Sequence, residues 1–523
     1  MVCESVGRPV MIGMDLRGVV AVVWCSCLAL AANSFDYGSI QNAITTGHFS
    51  EARPVLDARL KAEPGDGYAH LLLGIVLSEL KEAAPAELQF REAIRLRPRD
   101  SAPHTNLGNL LASLGRLADA KKQFEAALAL NPRDATSLSN LGAVHMSLQE
   151  YGPATKCFEA ADKIAPGDVR TLLGLFQAQL NSGQSAASRD TRTRLLNLRA
   201  VDEQAVQIVG ALQGESGDYA GAVLTFEKGL TRFPQSPALQ YNLGLAAQKV
   251  GDSARSIAIF EGLRSKQDTA EMEDVLGGVY EQAGRYLDAV KSYQKAAETE
   301  PTSEPYRFDY VSELLAHLNF EAARLIAEPA VHDFPDSMRL HVAWGVALYG
   351  LEQFETAQAM FLDLARRFPD QDLPVLYVQL CAESSGVALP EAKELLQASY
   401  RRHPDRFMAP YLLGRIAMKD TDAAIALPFL QTSVKLRSDY AASRLELGLA
   451  LAQLDRTDEA VTQYLAALKL ESRSAEPWYH LTLAYRKLGK TELAASAEKE
   501  FRKREAITGK PDLVKTFLYS TSK

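Results

Sequence analysis

Three glycines, Gly74, Gly108 and Gly142, stand 34 residues apart, and the same residue types return at the same distances behind each. Twelve residues on come Ala86, Ala120 and Ala154, and sixteen on come Phe90, Phe124 and Phe158. Nineteen on come Ala93, Ala127 and Ala161, and twenty-four on come Pro98, Pro132 and Pro166. A period of this length makes the chain a stack of small units, each burying its apolar face on its neighbours. Its 523 residues are therefore read as one repeated element rather than as several ordinary domains.

Each residue type has a physical task in a pair of antiparallel helices. The glycine has no side chain, so the first helix can approach its partner closely there. The two alanines share one face of the second helix and keep the interaxial distance short. The phenylalanine lies one turn from each alanine and fills the space between the helices. The proline ends the second helix and bends the chain toward the next unit. Gly115, Gly217, Gly251, Gly284 and Gly489 each fall seven residues after an anchor position and mark the turn within a pair. Pro85 and Pro153 fit the first turn of second helices, where a missing N–H is harmless.

A 34-residue helix-turn-helix unit with small and aromatic residues at these places resembles the tetratricopeptide repeat. Further anchors are Gly210, Gly244, Gly277, Gly345, Gly414 and Gly448, with Phe226, Phe260, Tyr293, Phe361 and Tyr464 among their aromatic partners. Weaker units centre on Ile40, Val311 and Leu380, and the last carries Trp478, Leu481, Tyr485 and Ala494. The poorest stretch runs from about Thr171 to Leu198, where Gly174 and Ala186 are taken as anchor and alanine and residues 188–192 break the pattern. The resemblance implies an all-α fold, a right-handed α-solenoid or superhelix of about fourteen repeats. The expected layout is a leader over residues 1–32, four repeats over 33–170, a degenerate repeat or hinge over 171–202, about nine repeats with a capping helix over 203–506, and a tail over 507–523.

The fifteen residues from Gly18 to Ala32 carry no charge and end in the small-x-small run Ala29-Leu30-Ala31. This fits a secretory signal peptide cleaved after Ala31 or Ala32, and the run is short for a bilayer span. Export to a periplasm or to the exterior is expected. The alternatives are an uncleaved leader that anchors the chain to a membrane, or a cytoplasmic protein whose first helix packs on the first repeat. Cys157 and Cys381 lie 224 residues apart, too far along a stack to be bridged, and both read as small buried apolar residues.

A formal charge of −8 offers no basic face for phosphates, so nucleic acid is not expected as a partner. No P-loop, dinucleotide fingerprint, nucleophile elbow or His-Glu-x-x-His motif is present. His332, Asp333, Asp336 and His341 cluster near a turn between units and read as turn formers rather than metal ligands. Neither catalysis, a cofactor nor a small-molecule substrate is expected.

The resemblance implies that partners lie on the concave face lined by first helices. Two residues before the anchor stand Asn106, Asn140 and Asn242, with Asn109 near the first two. In long tetratricopeptide superhelices that glycosylate proteins, asparagines at this place form a ladder that holds a peptide backbone, since an amide both donates and accepts. Here the ladder is interrupted by Leu72, Val275, Ala343 and Leu412, and simple helix-to-helix bonding is an equal reading. Three residues before the anchor stand Tyr241, Phe308, Tyr411 and Tyr479, either as aromatic anchors for a partner or as packing between first helices. The function expected is a non-enzymatic scaffold for other proteins or extended peptides. The alternative is a structural component of an envelope export or assembly complex.

Overall fold

In a computed structural model, the structure describes residues 35–371, 373–385 and 390–505. The expected leader, with its cleavage point and Cys3, Cys25 and Cys27, and the expected tail over 507–523 lie outside the described residues. Among the described residues every regular element is a helix, 28 in all, from α1 (Tyr37–Thr45) to α28 (Thr491–Glu505). They form fourteen antiparallel pairs, an all-α solenoid built of helix-turn-helix units. None of these helices is long and apolar enough to cross a membrane.

Local chemistry explains the boundaries. Several first helices are opened by side-chain caps: Asp66 accepts from the Tyr68 and Ala69 amides at the start of α3 (Gly67–Glu79). Asp134 caps α7 (Ala135–Ser147), and Asp168 caps α9 (Val169–Asn181) in the same way. The turn inside a pair uses one left-handed residue seven places after the anchor, and Gly115, Gly217, Gly251, Gly284 and Gly489 all take positive φ there. Pro98, Pro132 and Pro166 each stand two residues beyond the end of α4 (Ala83–Leu96), α6 (Leu117–Leu130) and α8 (Tyr151–Ile164).

Packing follows the periodic residues. Ala86, Ala120 and Ala154 are fully buried, and Phe90, Phe124 and Phe158 are at most 1% exposed. A methyl group added at Gly108 would meet the Phe124 ring at 2.7 Å, and one at Gly74 would meet Phe90 at 2.6 Å. The anchor glycine thus makes room for the ring sixteen residues later.

The molecule divides into two compact units, the first ending at Lys266 and the second beginning at Gln267. Seven pairs, α1 to α14 (Ser253–Arg264), lie in the first. Seven more, from α15 (Ala270–Gln282) to α28, lie in the second.

The segment over 171–202 folds as the pair α9 and α10 (Ser185–Asn197) within the first unit. Its register differs from that read in the sequence. Gly174 faces the Phe158 ring of the preceding repeat, and Ala186 is exposed. The anchor place, 34 residues after Gly142, belongs to Phe176, 1% exposed, and the first alanine place to Ser188, which is also buried. Two hydrogen bonds fix this register. Thr191 donates to Gln179 at 2.8 Å, and 34 residues on Thr225 donates to Gln213 at 2.5 Å. The ring has moved from the second helix to the first: the aromatic place holds half-buried Arg192, and Phe176 supplies the missing volume from the anchor.

At the end of the second unit, α28 buries Ala494 and Ala497 and turns charged residues outward. Glu498 takes Arg486 at 2.5 Å and Arg502 at 2.6 Å, while Arg504 covers the Trp478 ring. Cys381 is buried and Cys157 only half-buried, a partial correction to the sequence reading, and neither is bridged.

Candidate partner-binding face

Successive first helices place their anchor-adjacent residues side by side. In α5 (Ala102–Ser113), half-buried Asn106 donates to the Ala102 carbonyl of its own helix at 2.9 Å. Asn109, one turn further on, accepts a hydrogen bond of 2.8 Å from Asn140 of α7. The pair spends one donor and one acceptor and leaves the Asn109 Nδ2 and the Asn140 Oδ1 for other use. Asn242 is half-buried on α13 (Pro237–Lys249). The structure thus joins Asn109 and Asn140 directly and sets Asn106 on its own backbone.

Below this pair runs a buried polar contact between the same helices. Thr105 and Ser137 meet at 2.7 Å, and Ser137 donates to Asp134 at 2.6 Å. These hydroxyls fix α5 against α7 and so hold the amides in place. Composition and period concealed them, because small hydroxyl residues substitute silently for alanine. Their common spacing of 32 residues, shared by Ser139 and Thr171, was the available signal.

The aromatic residues divide. Tyr241 lies half-buried, its ring edge-on to Phe260 at 5.5 Å. Tyr411 on α23 (Met408–Lys419) is 4% exposed, edge-on to Tyr440 at 5.3 Å and beneath Arg415, and burial raises its phenol above the ordinary range. Phe308 is likewise buried. For Tyr411 and Phe308 the structure corrects the reading as groove anchors, because their rings are spent on packing between first helices. Tyr479 on α27 (Glu476–Lys487) is 45% exposed, with His480 and Phe501 at 5.1 and 5.5 Å.

Among the described residues no group of three or more His, Cys, Asp and Glu is placed to hold a metal. The imidazole of His341 is engaged by the Ser337 carbonyl at 2.7 Å and by Arg367 at 3.1 Å. One set of ionisable residues was missed in the sequence. The two anchor-adjacent places that hold asparagine and tyrosine elsewhere hold Asp309 and Asp274 in the second unit. Burial first, with Glu271 adding, pushes the Asp274 carboxyl up to about 6. Burial and then Asp274 push Asp309 up to about 7. Sorting charges by repeat position, rather than along the chain, would have found them.

A family profile described as tetratricopeptide repeat matches residues 37–101, 105–169, 212–271 and 241–304, and a second, described as TPR repeat, matches 448–489. Together they span 265 of the 523 residues. The stretches they omit include the pair anchored on Phe176 and the units anchored on Val311 and Leu380. No curated protein matches the chain. Among solved structures, yeast Tom70 is similar at 14% identity and a TM-score of 0.40, over 86% of this chain and 99% of that one. Pseudomonas aeruginosa pilF is similar at 18% identity and 0.33, over 39% and 92%. YrrB, described as a TPR protein with an unusual peptide-binding site, is similar at 21% identity and 0.29, over 35% and 94%.

Proposed function

Because the chain belongs to the tetratricopeptide repeat family, we propose that it is a non-enzymatic scaffold that binds partner proteins through extended segments laid along its first helices. The observation that carries this reading is the Asn109–Asn140 pair. The two adjacent amides, joined through one hydrogen bond, keep the Nδ2 of half-buried Asn109 and the Oδ1 of Asn140, itself 6% exposed, uncommitted to each other. A peptide group needs that complement, a carbonyl to accept and an N–H to donate. The buried Thr105–Ser137 contact beneath them keeps both side chains from paying the full ordering entropy when a partner arrives. Export rests on the Gly18–Ala32 stretch alone and places these partners in an envelope or outside the cell.

The test is affinity capture with the full chain against an Asn109→Ala, Asn140→Ala variant. The double variant is expected to lose at least one partner that the parent retains, or to hold it about tenfold more weakly, a loss of about 1.4 kcal/mol. Capture of the same partners at the same yield would place binding elsewhere on the chain.

A further inference from the structure

The second unit carries a charge out of proportion to its length. From Gln267 to Ala316 the sequence has eleven acidic and four basic residues, a balance of −7 against −8 for the entire chain. Four of these acids converge. Asp274 and Glu281 lie seven residues apart on α15, and Asp309 and Glu313 lie four apart on α17 (Glu304–Ala316). All four act on one phenol: Tyr293 of α16 (Tyr286–Thr299) is held un-ionised first by burial, then by Asp274, Glu281, Asp309 and Glu313.

The neighbouring cations offset this group only in part: Arg339 acts against the rise at Asp309, and Arg307 of α17 is close in sequence but its enclosed Nε makes no hydrogen bond. Lys295 is taken by Asp268 and Glu273, and Arg339 by Glu304. Glu313 is only 3% exposed, yet its Oε1 accepts no hydrogen bond. His317 Nε2 reaches that oxygen at 3.4 Å without hydrogen-bond geometry. Asp274 Oδ1 and Ser312 Oγ, on the same two helices, are enclosed and equally without a hydrogen-bond partner. Burial, and then Glu281, push the Glu313 carboxyl up to about 7. Enclosed polar oxygens left without donors are unfavourable, and a donor from outside would relieve them.

We propose that the seam between α15 and α17 is a docking site for an extended segment of a partner protein bearing lysine or arginine side chains. The layout favours a chain over a single ion. Seven residues of helix separate Asp274 from Glu281 by about 10 Å along the axis, too far for one cation to bridge. An extended strand advances about 3.3 Å per residue and turns alternate side chains to the same side, so cations two and four residues apart, at about 7 and 13 Å, bracket that span. This site stands apart from the Asn109–Asn140 pair, and its test leaves that reading untouched.

The experiment measures fluorescence anisotropy of the full chain with a labelled nonapeptide carrying lysine at alternate positions and serine between. The same peptide with glutamine for lysine is the control. The lysine peptide is expected to bind at least tenfold more tightly than the glutamine peptide, with affinity falling as salt rises. Asp274→Asn, Asp309→Asn and Glu313→Gln together are expected to weaken it at least tenfold, while Asp119→Asn in the first unit leaves it unchanged. Asp274→Asn alone, the mildest variant, is expected to weaken it about threefold, with circular dichroism confirming the fold. Equal binding of the two peptides overturns the proposal, as does unchanged affinity in the folded single and triple variants. A tenfold gain on Lys510→Ala, Lys515→Ala and Lys523→Ala overturns it too, by showing that the chain's own tail is the occupant.

Discussion

The two compact units hold seven helix pairs each and build them with the same period, yet they differ in three ways. In the first, the ring beside an anchor glycine is phenylalanine at Phe90, Phe124, Phe158, Phe226 and Phe260; in the second, Phe361 keeps it beside Gly345 but Tyr293 and Tyr464 take that place beside Gly277 and Gly448. The left-handed residue of the turn is glycine at Gly47, Gly115, Gly183, Gly217 and Gly251 of the first unit. Lys81 and Gln149 take that place at two other first-unit turns, whereas in the second unit glycine holds it only at Gly284 and Gly489 and Leu318, Glu352, Thr421 and Asp455 hold it at four described turns. Both units hold depressed carboxyls, Glu304 and Asp370 among those of the second, but among the described residues the raised ones all lie in the second. Asp66 is raised by burial, but hydrogen bonds from Tyr37, the Ala69 amide and Arg59 outweigh it and hold it below the usual range. Glu87 is held low by Arg91, against burial, with Arg116 assisting. Asp274, Asp309 and Glu313 are driven up instead. Helix packing needs only the shared small and aromatic places, so the units were free to diverge in charge and turn chemistry at the others.

The largest effect expected concerns the one irregular pair of the first unit. If Phe176 supplies the ring that Arg192 lacks, Phe176→Gly should destabilise the first unit by about 3–5 kcal/mol, as for other buried aromatic truncations. Adding Arg192→Phe to that variant restores the arrangement of its neighbours and should recover more than half of the loss. Hydrogen exchange resolved over α9 to α12 (Tyr219–Arg232) reads both. A double variant no more stable than the single one would mean that the ring has not changed helix.

That pair also shows what the sequence conceals. The fold was legible because the glycine, alanine and phenylalanine places are dictated by close packing, which few residue types satisfy. Fourteen units were counted, and fourteen pairs are present among the described residues. The register at 171–202 was misread because Gly174 imitates an anchor while packing on the ring of the preceding repeat. The candidate site was harder. Asn106, Asn109 and Asn140 were visible as residue types, but only coordinates show that Asn140 bonds Asn109 while Asn106 bonds its own helix. Tyr411 and Tyr479 stand at equivalent places, and one is buried while the other is exposed. Period alone cannot separate them, because exposure there depends on what the next repeat offers.

A second difference predicts opposite responses to pH. Asp274, Asp309 and Glu313 have folded values above their unfolded ones, so their contribution is fully present below about pH 4 and is lost as pH rises through 6 to 7. Besides one another, they face Glu271, Glu281, Glu304, His317, Arg339 and Tyr293. Asp66 and Glu87 are depressed, so their contribution persists above about pH 4 and disappears only below it. Between pH 5 and 8 the second unit should therefore lose on the order of 1–3 kcal/mol while these first-unit carboxyls contribute no slope. Trp344 and Trp478 lie in the second unit and Trp24 in the expected leader, so urea unfolding of a Trp24→Phe chain followed by tryptophan emission reports on the second unit. Asp309→Asn with Glu313→Gln should flatten the dependence. A second unit equally stable at both pH values would mean that these acids are ionised without cost.

The smallest effect tests the turns. Thr421 has φ of 60°, where a β-branched residue crowds its own backbone, at a cost of about 1–2 kcal/mol. Glycine removes that crowding but adds about 0.5–1 kcal/mol of chain entropy on folding. Because Thr421 is exposed, little burial is given up. Thr421→Gly should thus stabilise the second unit by about 0.5 kcal/mol. The reverse change at an equivalent turn of the first unit, Gly115→Thr, should destabilise by a similar amount, since Gly115 has φ of 73° and open space around it. Midpoints of urea unfolding resolve a difference of this size if the slopes are unchanged. Loss of stability on both changes would mean that the Thr421 side chain makes a contact worth more than the strain it carries, and that the second unit selected these turns for something other than tolerance.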